Sequence, residues 1–95
     1  MPESKTFTGV TTQTWEQLQA LGRQRHGTQF QPSDDNSGTA TTSTPFGKLV
    51  LDYAHDPQQN TVTYTIVSKP MLVMSPMIWS GIEATITNLR GDEKT

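Results

Sequence analysis

Ninety-five residues are enough for one small domain with a single core and too few for two. Apolar residues make up 32% and charged residues 17%, so the chain is neither core-rich nor charge-swollen, and its formal net charge of -2 lacks the clustered cations that phosphate backbones require. Nucleic acid is therefore not expected as a partner, and the absence of Cys removes disulfides, thiolate metal sites and thiol catalysis.

The start, Met1-Pro2-Glu3-Ser4-Lys5, has no basic stretch followed by an apolar core and no lipidation signal, which makes a cytoplasmic location the expectation. Residues 5–10 have strand-like composition, with Phe7 and Val10 as apolar anchors, but weak alternation. The first helix is expected over about 15–26. Thr14-Trp15-Glu16-Gln17 has the form of a capping box, Trp15, Leu18 and Leu21 fall three apart on one face, and Gly27 is a natural stop. Arg23-Gln24-Arg25-His26 is the densest basic stretch, and its ordinary reading is a solvated last turn whose cations complement the helix dipole.

The turn formers of 31–38, Gln-Pro-Ser-Asp-Asp-Asn-Ser-Gly, read as an exposed flexible loop. Thr39-Ala40-Thr41-Thr42-Ser43-Thr44 favours extended structure with almost no apolar side chains, so it is expected as a peripheral strand ending at Pro45 and Gly47. A β-hairpin follows over about 48–68. Leu49, Leu51 and Tyr53, then Val62, Tyr64 and Ile66, alternate with polar residues, and Asp56-Pro57 starts a connection of about seven residues.

The one strongly apolar stretch is Pro70-Met71-Leu72-Val73-Met74-Ser75-Pro76-Met77-Ile78-Trp79. It is about half the roughly 20 residues that a bilayer span needs and it contains two prolines, so no transmembrane segment is expected. A second helix is expected over about 76–89. Ser75 would cap it, Pro76 would occupy the first turn, and Ile78, Ile82, Ile86 and Leu89 would form the core stripe. Gly91 would stop it, leaving a frayed tail over 92–95.

These elements predict a single small α+β domain, a two-layer sandwich with an antiparallel sheet and both helices on one face. The other face of the sheet would be mostly Thr.

Candidate sites start with the Met-rich run. Flexible, polarisable thioethers suit an adaptable binding surface, and Met71, Met74, Met77 and Trp79 are the residues expected to carry one. The competing role, which weighs slightly more in so polar a chain, is to fill gaps where the chain crosses from strand to helix along the edge of the core. Burial against a second copy serves both roles, so a homodimer is expected, with a small apolar ligand or a protein partner as alternatives. His55 beside Asp52 and Asp56 raises a second possibility, a general base held by carboxylates in a small hydrolase or isomerase, although all three flank a turn expected to be exposed. A third is an accessory subunit of a larger assembly.

Three weaker signals are set aside. Thr61, Thr63 and Thr65 would project at about 7 Å intervals, but one good hydroxyl row falls short of the several matched rows an ice-binding face requires. Placing Gly38 at the sixth position of a calcium loop puts Ser33, Asp35 and Ser37 at one, three and five and Thr44 at twelve, which leaves too few carboxylates. There is no Gly-rich phosphate loop or dinucleotide fingerprint, so no cofactor is expected. The leading expectation is a non-enzymatic binding module acting through the Met-rich surface.

Overall fold

The computed structural model describes residues 3–34 and 36–94, with residues 90–94 described by their backbone alone. In chain order the elements are β1 (Ser4–Thr8), α1 (Thr12–His26), β2 (Gln29–Pro32), β3 (Ser37–Thr44), β4 (Gly47–Asp56), β5 (Thr61–Ser68) and α2 (Ser75–Lys94). The strands form one antiparallel sheet in the order β1-β5-β4-β3-β2. The four consecutive strands are a meander, and the first strand returns to pair with the last. The two helices pack on one another and cover one face, as the two-layer α+β reading expects.

Alternation along the strands builds the core. Leu51, Tyr53 and His55 of β4, and Val62, Tyr64 and Ile66 of β5, are buried on the helix side. Phe7 of β1 joins them, and Trp15, Leu18, Ile78 and Ile86 descend from the helices. Most outward neighbours of these side chains are polar, with Val50, Ala54 and Val67 as exceptions, the pattern of a sheet with one covered face.

Helix α1 begins three residues earlier than its capping-box signature suggests. Two threonines three apart compete for the cap, and Thr11 takes it: its Oγ1 accepts the Thr14 amide at 3.2 Å. Thr14 lies inside the first turn, fully buried, with its hydroxyl 3.0 Å from that of Thr11. Gly27 ends the helix as expected, with φ 63°, and the Thr28 amide donates back to the Gly22 carbonyl at 3.0 Å.

Two expectations in the middle of the chain are corrected. Part of the expected 31–38 loop is strand β2, an edge strand that pairs Phe30 with Ala40 and closes at Pro32. In consequence β3 is not peripheral, because β2 lies outside it. Its poverty in large apolar residues has a packing reason: inward-facing Gly38 and Ala40 are small because Tyr53 and Phe30 close over them. A Cβ at Gly38 would fall 2.6 Å from Pro32 Cα and 2.7 Å from the Tyr53 hydroxyl.

The hairpin turn is also tighter than expected, four residues rather than seven. Asp56 Oδ1 accepts the amides of Gln58 and Gln59 at 3.0 and 3.2 Å, and Asn60 takes φ 55° to re-enter β5.

Helix α2 starts at Ser75, one residue before the expected start, so Ser75 lies inside it and the Met74 carbonyl accepts from the Ile78 amide at 3.3 Å; Pro76 is in the first turn as anticipated, and the Ile78–Ile82–Ile86–Leu89 stripe faces the core. The expected stop at Gly91 is absent, since the helix continues through Lys94. A glycine inside a helix costs only about 1 kcal/mol and does not end it unless the chain turns left-handed there. Thr95 lies outside the described residues. Among the described residues no helix is long and apolar enough to cross a membrane.

Candidate functional site

Within the Met-rich run Met71, Leu72, Met74 and Met77 are surface rather than core, while Val73 packs against the core and Ile78 is buried in it. Met71 is 94% exposed and Met77 63%, with Leu72 and Met74 also exposed. The gap-filling role is overturned for these residues because the strand-to-helix crossing runs outside the sheet end. There the Val73 amide donates to the Pro70 carbonyl at 3.1 Å, Lys69 Nζ donates to the Val73 carbonyl at 3.0 Å, and Met74 offers its carbonyl to the Met77 amide at 3.0 Å. Trp79 behaves differently. It is half-buried, with its ring 6.2 Å from that of Phe7, so it belongs to the edge of the core beside β1. The four residues expected to share a surface are thus divided between an exposed methionine group and a packed indole.

Behind Met77 lies a cavity of about 310 Å³ between the C-terminal half of α1, the N-terminal half of α2 and the inner face of the sheet. Its floor is made by buried Leu18, Ala40, Leu51, Tyr64 and Ile78, and its walls by half-buried Leu21, Phe30, Leu49 and Ile82. Arg25, His26, Met77 and Gly81, all exposed, mark its mouth. Polar contacts among its described lining residues are the hydroxyl pair Thr28–Thr42, with 2.7 Å between the two Oγ1 atoms, and the Thr85 hydroxyl, which donates to the Gly81 carbonyl at 2.9 Å. Both helices present a glycine to this space: a Cβ at Gly22 would come 3.4 Å from the Phe30 ring and 3.5 Å from the Thr28 side chain, whereas a Cβ at Gly81 would meet nothing within 4 Å.

Sequence reasoning found Met77 but missed the rest of this lining as a site. The Leu18–Leu21 and Ile78–Ile82 stripes were legible as core, and nothing local marks which part of a core stripe faces a void. Arg25 and His26 were legible only as a solvated last turn.

The structure does not bring His55 together with Asp52 and Asp56. The alternation that buries Leu51 and Tyr53 also buries His55, which is 5% exposed, and sends Asp52 and Asp56 to the opposite face of the sheet. The expected exposure of the trio is therefore corrected for its imidazole. His55 Nε2 lies 2.9 Å from the Val10 carbonyl, which only accepts, so this nitrogen carries the proton; the ring stacks on Trp15 at 5.6 Å and 14°. Asp56 is occupied by the turn amides, and Asp52 accepts from Thr39 Oγ1 at 3.1 Å.

The outer face carries the threonine rows, with their hydroxyls largely paired across strands. Thr63 meets Thr6 and Thr65 meets Ser4, both at 2.8 Å, while β4 with Asp52 stands between these rows and Thr39. Thr42 faces inward. In the turn after β2, Asp34 Oδ1 accepts from the Asn36 amide, the Ser37 amide and the Ser37 hydroxyl, and these bonds hold its carboxyl below the usual range. Asp35, part of the calcium-loop alignment, lies outside the described residues. Among the described residues no three His, Cys, Asp or Glu side chains cluster as metal ligands.

No known family, curated protein or solved structure matches this chain.

Proposed function

We propose that this protein is a non-enzymatic binding module that takes a small apolar ligand into the cavity between α1, α2 and the sheet. The observation that carries this reading is the cavity itself. A space of about 310 Å³, open at its mouth and lined mainly by Leu, Ile, Phe and Met side chains, is at the lower end of the size range of small-molecule sites. Met77 stands at its mouth with Met71 and Met74 close by in sequence, and thioethers there suit an opening that must adapt to its guest.

The test is a titration of methyl-labelled protein with decan-1-ol, below the concentration at which the alcohol aggregates. Saturable shifts confined to the methyls of Leu21, Met77, Ile78 and Ile82 are expected, and they should vanish in Ile82→Trp, which fills the void. Shifts absent throughout, or spread equally over the surface, would remove this reading.

A second reading, self-association, is favoured by the exposure of Met71, Leu72, Met74 and Met77, a concentration of apolar surface that monomers seldom leave open. Sedimentation equilibrium distinguishes it: a dimer that dissociates in Met74→Asp supports a homodimer through this segment, and a wild-type monomer at high concentration rejects it.

A further inference from the structure

We infer that the ligand of this cavity is an amphipathic monocarboxylate, with its apolar body inside and its carboxylate held at the mouth by Arg25. This deepens the cavity-binding reading and rests on it.

Three observations carry it. Among the described residues lining the cavity, the ionisable groups at the mouth are Arg25 and His26, and no Asp or Glu side chain lines the cavity. Among the described residues Arg25 also has no carboxylate partner, whereas Arg23, two positions earlier, lies over the Phe30 ring at 5.0 Å and does not line this cavity. The basic last turn of α1 is thus split: one guanidinium stacks on an aromatic ring, and the other is left at the rim of an apolar hole. A guanidinium offers a planar fork that matches a carboxylate, and its long stem lets the charge reach a headgroup while its methylenes stay on apolar surface.

The volume suits a short body. About 310 Å³ with an open mouth is at the lower end of the size range of small-molecule sites, the scale of a medium-length alkyl chain such as that of decanoate. The Thr28–Thr42 hydroxyl pair is already satisfied internally, so the interior makes no strong demand for polar groups on the ligand's tail.

The experiment compares decanoate with decan-1-ol by methyl-detected titration on the full chain, in wild type, Arg25→Gln and Arg23→Gln. A charge-assisted pair at a partly desolvated rim predicts decanoate binding roughly tenfold tighter than the alcohol. That preference, read as the ratio of the two affinities within each protein, should fall to near unity in Arg25→Gln and persist in Arg23→Gln, where a decan-1-ol affinity equal to that of the wild type reports that the cavity is intact. Equal affinities in the wild type, or a preference that survives Arg25→Gln, would overturn the carboxylate inference and leave the apolar cavity standing. Failure of both ligands to shift the cavity methyls would remove the cavity reading itself.

Discussion

His55 and Val10 are 45 residues apart, yet Nε2 of the imidazole and the valine carbonyl meet at 2.9 Å in the core. Val10 is held at both ends, because its amide also donates to the Asn60 carbonyl at 2.7 Å. The connection from β1 to α1 is thereby fastened to the β4–β5 hairpin, and the stack of His55 on Trp15 continues the tie into the helix. His55→Ala removes a buried donor, leaves the carbonyl unpaired and opens space under Trp15. A loss of about 2–4 kcal/mol in urea unfolding is expected, with decan-1-ol uptake retained by the fraction that folds. A loss under about 0.5 kcal/mol would mean that this tie contributes little.

The glycines Gly38 and Gly81 should respond in opposite directions to the same methyl group. At Gly38 the added carbon runs into the β2 backbone and the Tyr53 hydroxyl, so Gly38→Ala should cost more than about 2 kcal/mol and raise amide exchange along β2. At Gly81 nothing lies within 4 Å and the backbone is helical, so Gly81→Ala should stabilise by about 0.5–1 kcal/mol. Chemical denaturation of the two variants checks both signs.

Thr11, not Thr14, is the cap of α1. Thr11→Ala should lose about 1 kcal/mol, and Thr11→Ser should restore most of it, because the interaction is that of a hydroxyl with the Thr14 amide. Thr14→Ser would discriminate the two roles: it keeps a hydroxyl and removes a buried methyl, so it should destabilise through packing.

Alkaline pH should weaken the fold through Tyr64. Burial, with Tyr53 adding to it, holds its phenol well above the ordinary value of 10.0. The unfolded chain therefore releases this proton near pH 10 while the folded chain retains it, so the contribution is fully present below pH 10 and declines above it. Between about pH 10 and 11.5 the wild type should lose up to about 1.4 kcal/mol per pH unit through this group, and Tyr64→Phe should lose correspondingly less. Denaturation midpoints across that window give the comparison.

Met74→Asp should leave the monomer folded, with stability within about 0.5 kcal/mol of wild type, because the side chain is exposed. Unfolding of this variant would show that the segment contributes to the core in solution.

Local periodicity determined much of this fold. The alternation in Leu49–Tyr53 and Val62–Ile66 and the four-residue spacing of Ile78, Ile82 and Ile86 specify which faces are buried, because strand and helix geometry repeat over a few residues whatever lies across the core. Signals that depend on a distant partner were less legible. The edge strand Gln29–Pro32 has no pattern of its own and exists because Ala40 and Thr41 offer it a ladder. Likewise, the exposure of Met71, Met74 and Met77 depends on where the crossing leaves the sheet, and the fate of His55 depends on Val10. The cavity is the clearest case. Leu21, Ile82, Gly22 and Gly81 are ordinary core or helix residues one by one, and only the distance kept between two helices above a curtain of strands turns them into a lined space with an arginine at its mouth. Which residues turn inward was decided by short-range geometry, and what they face there was decided by packing between elements far apart in the chain.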